Sequence, residues 1–230
     1  GRPLAFRIGT YLPRKGFRNE NAAQAARVTV TGITQTDNQP PIFEGDLPLL
    51  HLHGKDGQPN VTLNTGKGVA LVRVEDFERF MAFTYPATPL VLLGQPGPQR
   101  HRPVQFHLTA CAPRNWYFYV PKGVKQFGVS AGAWHDTDVL KMEINAPDRT
   151  VAMIYGNSGQ ASVKVPDGLD GKIWHLRPSV GSATRMVTKH PPYRYQDMPI
   201  TIEFRQLRPV LAPTWEQWFN PRSPKPPHER

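Results

Sequence analysis

Polar and apolar residues alternate along much of this chain, and the alternation has a period of two. Val28 and Val30 stand against Thr29 and Thr31, which predicts a half-buried strand over 27–31. Residues 47–53, 61–63 and 69–74 read as further strands, the last more deeply buried, and Gly54–Gly57 and Asn64–Gly66 supply turn chemistry between them. The stretch 76–83, with Phe77, Phe80, Met81 and Phe83, fits a helical turn nearly as well as a strand. The stretch 19–26 fits a helical turn or a loop. Residues 88–93 are another apolar strand, after which Gly94, Pro96, Gly97 and Pro98 mark 94–103 as a linker.

Beyond that linker the alternation becomes cleaner. Val104, Phe106 and Leu108 oppose Gln105, His107 and Thr109. Trp116, Phe118 and Val120 oppose Tyr117 and Tyr119. Leu140, Met142 and Ile144 oppose Lys141 and Glu143. Ala161, Val163 and Val165 oppose Ser162 and Lys164, Trp174 and Leu176 oppose His175 and Arg177, and Ile200, Ile202 and Phe204 oppose Thr201, Glu203 and Arg205. Many short strands, each bounded by Gly, Pro, Asn or Asp, describe an antiparallel sandwich. The predicted fold is all-β: two consecutive antiparallel β-sandwich units, Ig-like or jelly-roll-like, at 1–95 and 99–220, with a short C-terminal helix over 213–219. One continuous sandwich is the alternative. Residues 221–230, with four prolines in ten residues, form a flexible basic tail.

Composition agrees with this reading and narrows it. The 230 residues include 19 glycines and 25 prolines. An interior proline costs a helix about 3 kcal/mol, so helical bundles and coiled coils are excluded. No apolar run approaches the roughly 20 residues of a membrane-spanning helix. The net charge is +10, yet Lys and Arg are scattered and no nucleic-acid-binding motif appears. No specific nucleic-acid partner is therefore expected; diffuse attraction to an anionic surface polymer fits better than that, and a merely solvated basic surface is the commonest explanation of such a charge. The single cysteine, Cys111, forms no internal disulfide and reads as a small buried residue. The opening Gly1-Arg2-Pro3 reads as a mature or trimmed start.

The second half carries a resemblance. WYFYVPKGVKQFGV at 116–129, NAPDR at 145–149, GKIWHLR at 171–177 and LRPVLAPTWEQWF at 207–219 resemble the C-terminal β-sandwich domain, galactose-binding-like or pre-peptidase-like, of exported planctomycete and verrucomicrobial proteins. Arg149 departs from the pattern, which has Gly there. The resemblance implies a non-catalytic module beside carbohydrate-active domains of a larger protein, located outside the cell, at its surface or in the periplasm. It transfers no functional residues.

Candidate chemistry falls into three groups. His51 and His53 share a strand face and can share a metal ion, with His107 as a third ligand; this is the motive for a metal-dependent enzyme. Asp136 and Asp138, and likewise Asp167 and Asp170, have the short spacing of oxygen-rich calcium loops, which is also ordinary turn chemistry. Tyr117 and Tyr119 on one strand face, Trp134 with its neighbour His135, and Tyr193 and Tyr195 in a proline-rich loop are candidates for stacking on a sugar ring. Trp116 and Trp174 alternate with core residues and are expected inside. No nucleophile elbow, phosphate loop or dinucleotide fingerprint is present, so the sequence leans away from catalysis. The expected role is an accessory module binding polysaccharide or another surface ligand. A structural module making domain contacts or self-associating is the alternative.

Overall fold

The structure is a computed structural model that describes residues 4–10, 25–32, 39–48, 50–51, 61–63, 70–75, 81–84, 91–93, 95–96, 104–109, 115–133, 138–181, 198–216, 218 and 221. Every regular element among them is a strand. The chain divides into two compact units, residues 1–89 with 219–230 and residues 90–218.

In the first unit, β1 (Leu4–Thr10), β2 (Ala25–Gly32), β3 (Phe43–Pro48), β4 (Leu50–His51), β5 (Val61–Leu63), β6 (Ala70–Glu75) and β7 (Met81–Thr84) form two sheets. β2 lies between β3 and β6, antiparallel to both. Its Val28 and Val30 are fully buried, as the alternation predicts. On the other face Arg27 pairs with Glu44 at 2.7 Å and Asp46 at 3.5 Å across β3. β1 is antiparallel to β5 and β7. Its pairing with β4 is parallel, a departure from the wholly antiparallel expectation. The ambiguous stretch around Met81 resolves as strand where it is described.

In the second unit, β8 (Leu92–Leu93), β9 (Gln95–Pro96), β10 (Val104–Thr109), β11 (Trp116–Val120), β12 (Gln126–Ala133), β13 (Leu140–Asn145), β14 (Thr150–Gly156), β15 (Ser158–Lys164), β16 (Lys172–Val180), β17 (Pro199–Arg205) and β18 (Val210–Leu211) follow in order. One sheet runs β15-β12-β17-β10-β9, the other β11-β16-β13-β14. From β10 to β17 the chain passes repeatedly between the sheets, and the resulting orders are those of an eight-stranded jelly roll. The breaker-rich stretch contributes Gln95–Pro96 as an edge strand on β10, the place in a sheet where proline is tolerated.

Period-two patterning makes this core. Phe127 and Val129 of β12, Ile200, Ile202 and Phe204 of β17, and Phe106 of β10 point inward from one sheet. Trp116 and Phe118 of β11, Trp174 and Leu176 of β16, and Leu140, Met142 and Ile144 of β13 point inward from the other. The sheets meet through aromatic edges: Phe118 lies 6.0 Å from Phe127 and 5.1 Å from Phe204, and Phe127 lies 5.6 Å from Trp174. Burying each such ring stabilises the fold by roughly 1.5–3 kcal/mol. Trp174 also donates its indole N–H to the Leu169 carbonyl at 2.8 Å, so its one polar atom enters the interior satisfied.

The helix expected over 213–219 is a turn. The Trp218 amide donates to the Trp215 carbonyl at 3.2 Å, and the Trp218 indole donates back to the Val210 carbonyl at 3.3 Å. Two tryptophans three apart need only one turn of chain to place Trp218 against the sheet. The tail predicted for 221–230 lies outside the described residues, apart from Pro221, which is buried.

Candidate functional site

The outer face of the five-stranded sheet is hollow because of what β12 lacks. While Phe127, Val129 and Ala131 point into the core, the outward positions are Gly128, Ser130 and Gly132. The neighbouring strands carry longer side chains. Gly128 stands between Ser162 and Arg205, Ser130 between Gln160 and Glu203, and Gly132 between Ser158 and Thr201. Backbone therefore floors a trough walled by β15 on one side and β17 on the other. Its volume is about 390 Å³ and it is lined by Ser130, Ser158, Gln160, Thr201, Glu203 and Arg205, with Ala131, Gly132 and Gly159. Gln105 of β10 donates its amide N–H to the Glu203 carboxylate, and the Gln126 amide donates to the Ser162 hydroxyl at 2.6 Å. These bonds hold wall residues in place. Nothing in the sequence of 126–133 announces a trough, since glycine and serine outside a strand read as solvated positions. The signal emerges only once β15 and β17 are known to flank β12.

The outer face of the four-stranded sheet is filled instead. Tyr117 and Tyr119 share it, as the alternation predicts, and both are half-buried. The Tyr117 ring lies 5.4 Å from His175, and its hydroxyl accepts the Asn115 amide at 3.2 Å. The Tyr119 ring lies 5.4 Å from Trp218. These two tyrosines thus pack against protein rings. Burial pushes the His175 pKa down, helped by the Arg177 charge and opposed by Glu143. Glu143 is held below the usual carboxylate range chiefly by its bond to Lys141, at 2.6 Å, with Arg177 at 3.8 Å adding to it. Among the described residues the more exposed aromatics, not singled out by sequence, are Tyr155 on β14 and Trp215 in the final turn. Trp116 and Trp174 are buried as expected.

The acidic loop at 167–171 is used as a turn. Asp170 accepts the Gly123 amide at 2.8 Å, which pushes its pKa down, and Gly171 donates to the Val120 carbonyl at 2.7 Å. Asp167 is solvent-facing, 3.9 Å from Lys125. Asp138 is half-buried, and its carbonyl accepts the Asn157 amide at 3.1 Å. His51 sits in β4 opposite Thr10 of β1. His53, Cys111, Trp134, His135, Asp136, Tyr193 and Tyr195 lie outside the described residues, as do the side chains of His51 and His107. Among the described residues no three His, Cys, Asp or Glu side chains gather as a metal set, and no helix is long and apolar enough to cross a membrane.

No family model matches the chain, and no curated protein matches it. Among solved structures, that of the infectious bursal disease virus Gx strain aligns at 10% identity over 90% of this chain and 61% of that one, with a TM-score of 0.13. A likeness at that level carries no argument about fold or function.

Proposed function

We propose that this chain is a non-catalytic, exported jelly-roll module that binds polysaccharide in the trough of its five-stranded sheet. The observation that carries the reading is the open trough of about 390 Å³, whose backbone floor is bordered by hydroxyl, amide, carboxylate and guanidinium groups. A polymer of sugars presents hydroxyls along its length. An open trough admits it from the side, and groups fixed on strands meet those hydroxyls at regular intervals. Glu203 is the one carboxylate among the described lining residues, whereas glycoside hydrolysis uses a facing pair. The single carboxylate supports a binding role over glycoside hydrolysis. The similarity of 116–219 to domains of exported bacterial proteins supports the same role and the location outside the cytoplasm.

Glycan-array binding by the chain, followed by titration of the best glycan, tests this. Saturable binding that weakens in Gln160→Ala is expected. Silence across neutral and acidic glycans overturns the proposal.

A second reading has its own observation. Met153 and Tyr155 project from β14 at 55% and 51% exposure, adjacent positions on one outer face, as a domain or protomer contact would use. Light scattering over a concentration series checks self-association, and a clean monomer throughout removes it.

A further inference from the structure

The walls of the trough differ in charge along its length. Near its middle, Glu203 is engaged by Gln105. At the Gly128 end, Arg205 leans across the floor: a Cβ built on Gly128 would meet the Arg205 Cβ at 3.3 Å and its Cγ and Cδ at 3.8 Å. One row further, Gln126 of β12 stands opposite Lys164 of β15. Arg205 and Lys164 are both exposed, both lie on the outward phase of their strands, and neither forms an ion pair among the described residues. Two cations that form no ion pair among the described residues thus stand on either side of Gly128, which has no side chain of its own and lies under the Arg205 stem, one row beyond Ser130 of the trough. A guanidinium offers a planar fork of donors that fits a carboxylate or sulfate with two parallel bonds. Lys164 adds a point charge, and the Ser162 hydroxyl, which accepts from Gln126, keeps its own proton to donate. Glu203 repels an anion from the middle of the trough, which confines the anion to this end.

We infer that the Gly128 end of the trough is a subsite for the acidic group of an anionic polysaccharide, with Arg205 as the bidentate partner and Lys164 as its electrostatic support. This rests on the proposal that the trough binds polysaccharide, and it specifies the chemical class of the ligand.

The test is titration calorimetry with a polyuronate, the same polymer after carboxyl reduction, and a sulfated polysaccharide, at two salt concentrations. The polyuronate or the sulfated polymer is expected to bind about tenfold tighter than the reduced one, and Arg205→Gln is expected to erase that difference by weakening the acidic polymer far more than the reduced one. Which acidic polymer binds tighter distinguishes carboxylate from sulfate. Equal binding of acidic and reduced polymers by the unaltered chain overturns the subsite and leaves polysaccharide binding intact. An equal loss in Lys172→Gln, a cation on the four-stranded sheet, also overturns it, because the attraction is then the diffuse field of a +10 chain. Failure of all three polymers overturns both readings together.

Discussion

Tyr117 and Ala212 exchange both of their backbone hydrogen bonds, the Tyr117 amide to the Ala212 carbonyl at 2.8 Å and the Ala212 amide to the Tyr117 carbonyl at 2.9 Å. β11 would otherwise be an open sheet edge, a template for unwanted pairing. The segment bridging it continues into β18, which pairs with β8, and Trp218 closes over Tyr119. Ala212 is fully buried, so water cannot replace a lost bond. Ala212→Pro removes the donor to Tyr117. Urea unfolding should show a loss of about 1–3 kcal/mol, the desolvation cost of an orphaned carbonyl. An unchanged midpoint would show that the bridge contributes nothing.

His175 gives the fold a pH dependence of predictable sign. Its pKa in the folded protein lies below the ordinary 6.5, first through burial and then through Arg177. Between 6.5 and the depressed value the unfolded chain therefore binds the proton more readily than the folded one. Stability falls as pH drops through that window and is full above 6.5. The Glu143 pKa is lowered from 4.5, so its contribution is lost only at more acidic pH. Melting temperatures of the unaltered protein are expected to decline as pH falls below 6.5, and His175→Gln should lose that decline. Parallel curves for the two would refute the assignment.

The Asp170-Gly171 turn depends on a backbone that only glycine adopts readily. Gly171 has φ of 70°, and a Cβ there would also approach the Lys122 Cγ to 2.7 Å. Lys122 is exposed and can swing away, so the left-handed backbone sets the cost, about 1–2 kcal/mol. Gly171→Ala should be destabilised by that amount in chemical denaturation. Gly171→Asn should lose less, because asparagine tolerates this conformation. Equal losses in the two variants would place the cost in the Lys122 contact instead.

How much of this was legible in sequence depends on the range of the interaction. Val104, Phe118, Met142, Trp174 and Ile202 announce their inward direction through neighbours one and two residues away, so the strands of the second unit and its core could be read locally. The stretch 213–219 misled, because a proline at its start suits the first turn of a helix and a single turn equally well. The shared face of Tyr117 and Tyr119 was legible, but its occupation by His175 and Trp218 was not, since strand order decides it. The trough was hidden for the same reason. Glycine and serine on β12 acquire meaning only beside the longer side chains of β15 and β17, and those strands are joined to β12 by pairing, not by proximity in the chain.

Gly132 separates the requirements of binding from those of folding. Glycine inside a strand costs roughly 0.5–1 kcal/mol relative to a residue with a side chain, through lost chain entropy on folding. Nothing in the fold demands it at this position. Gly132 is not among the positive-φ residues, and a Cβ built there meets the Ser158 Cβ at 3.4 Å and the Asn157 carbonyl at 3.7 Å, ordinary contacts. If the bare floor serves only the fold, Gly132→Thr should be neutral or better, since a β-branched residue suits a strand. If it serves a ligand, the same substitution raises a methyl and a hydroxyl into the trough between Ser158 and Thr201. Gly132→Thr is therefore expected to melt at the same temperature or slightly higher while losing polysaccharide binding. Retention of full affinity in a stably folded Gly132→Thr would place the ligand elsewhere on the molecule.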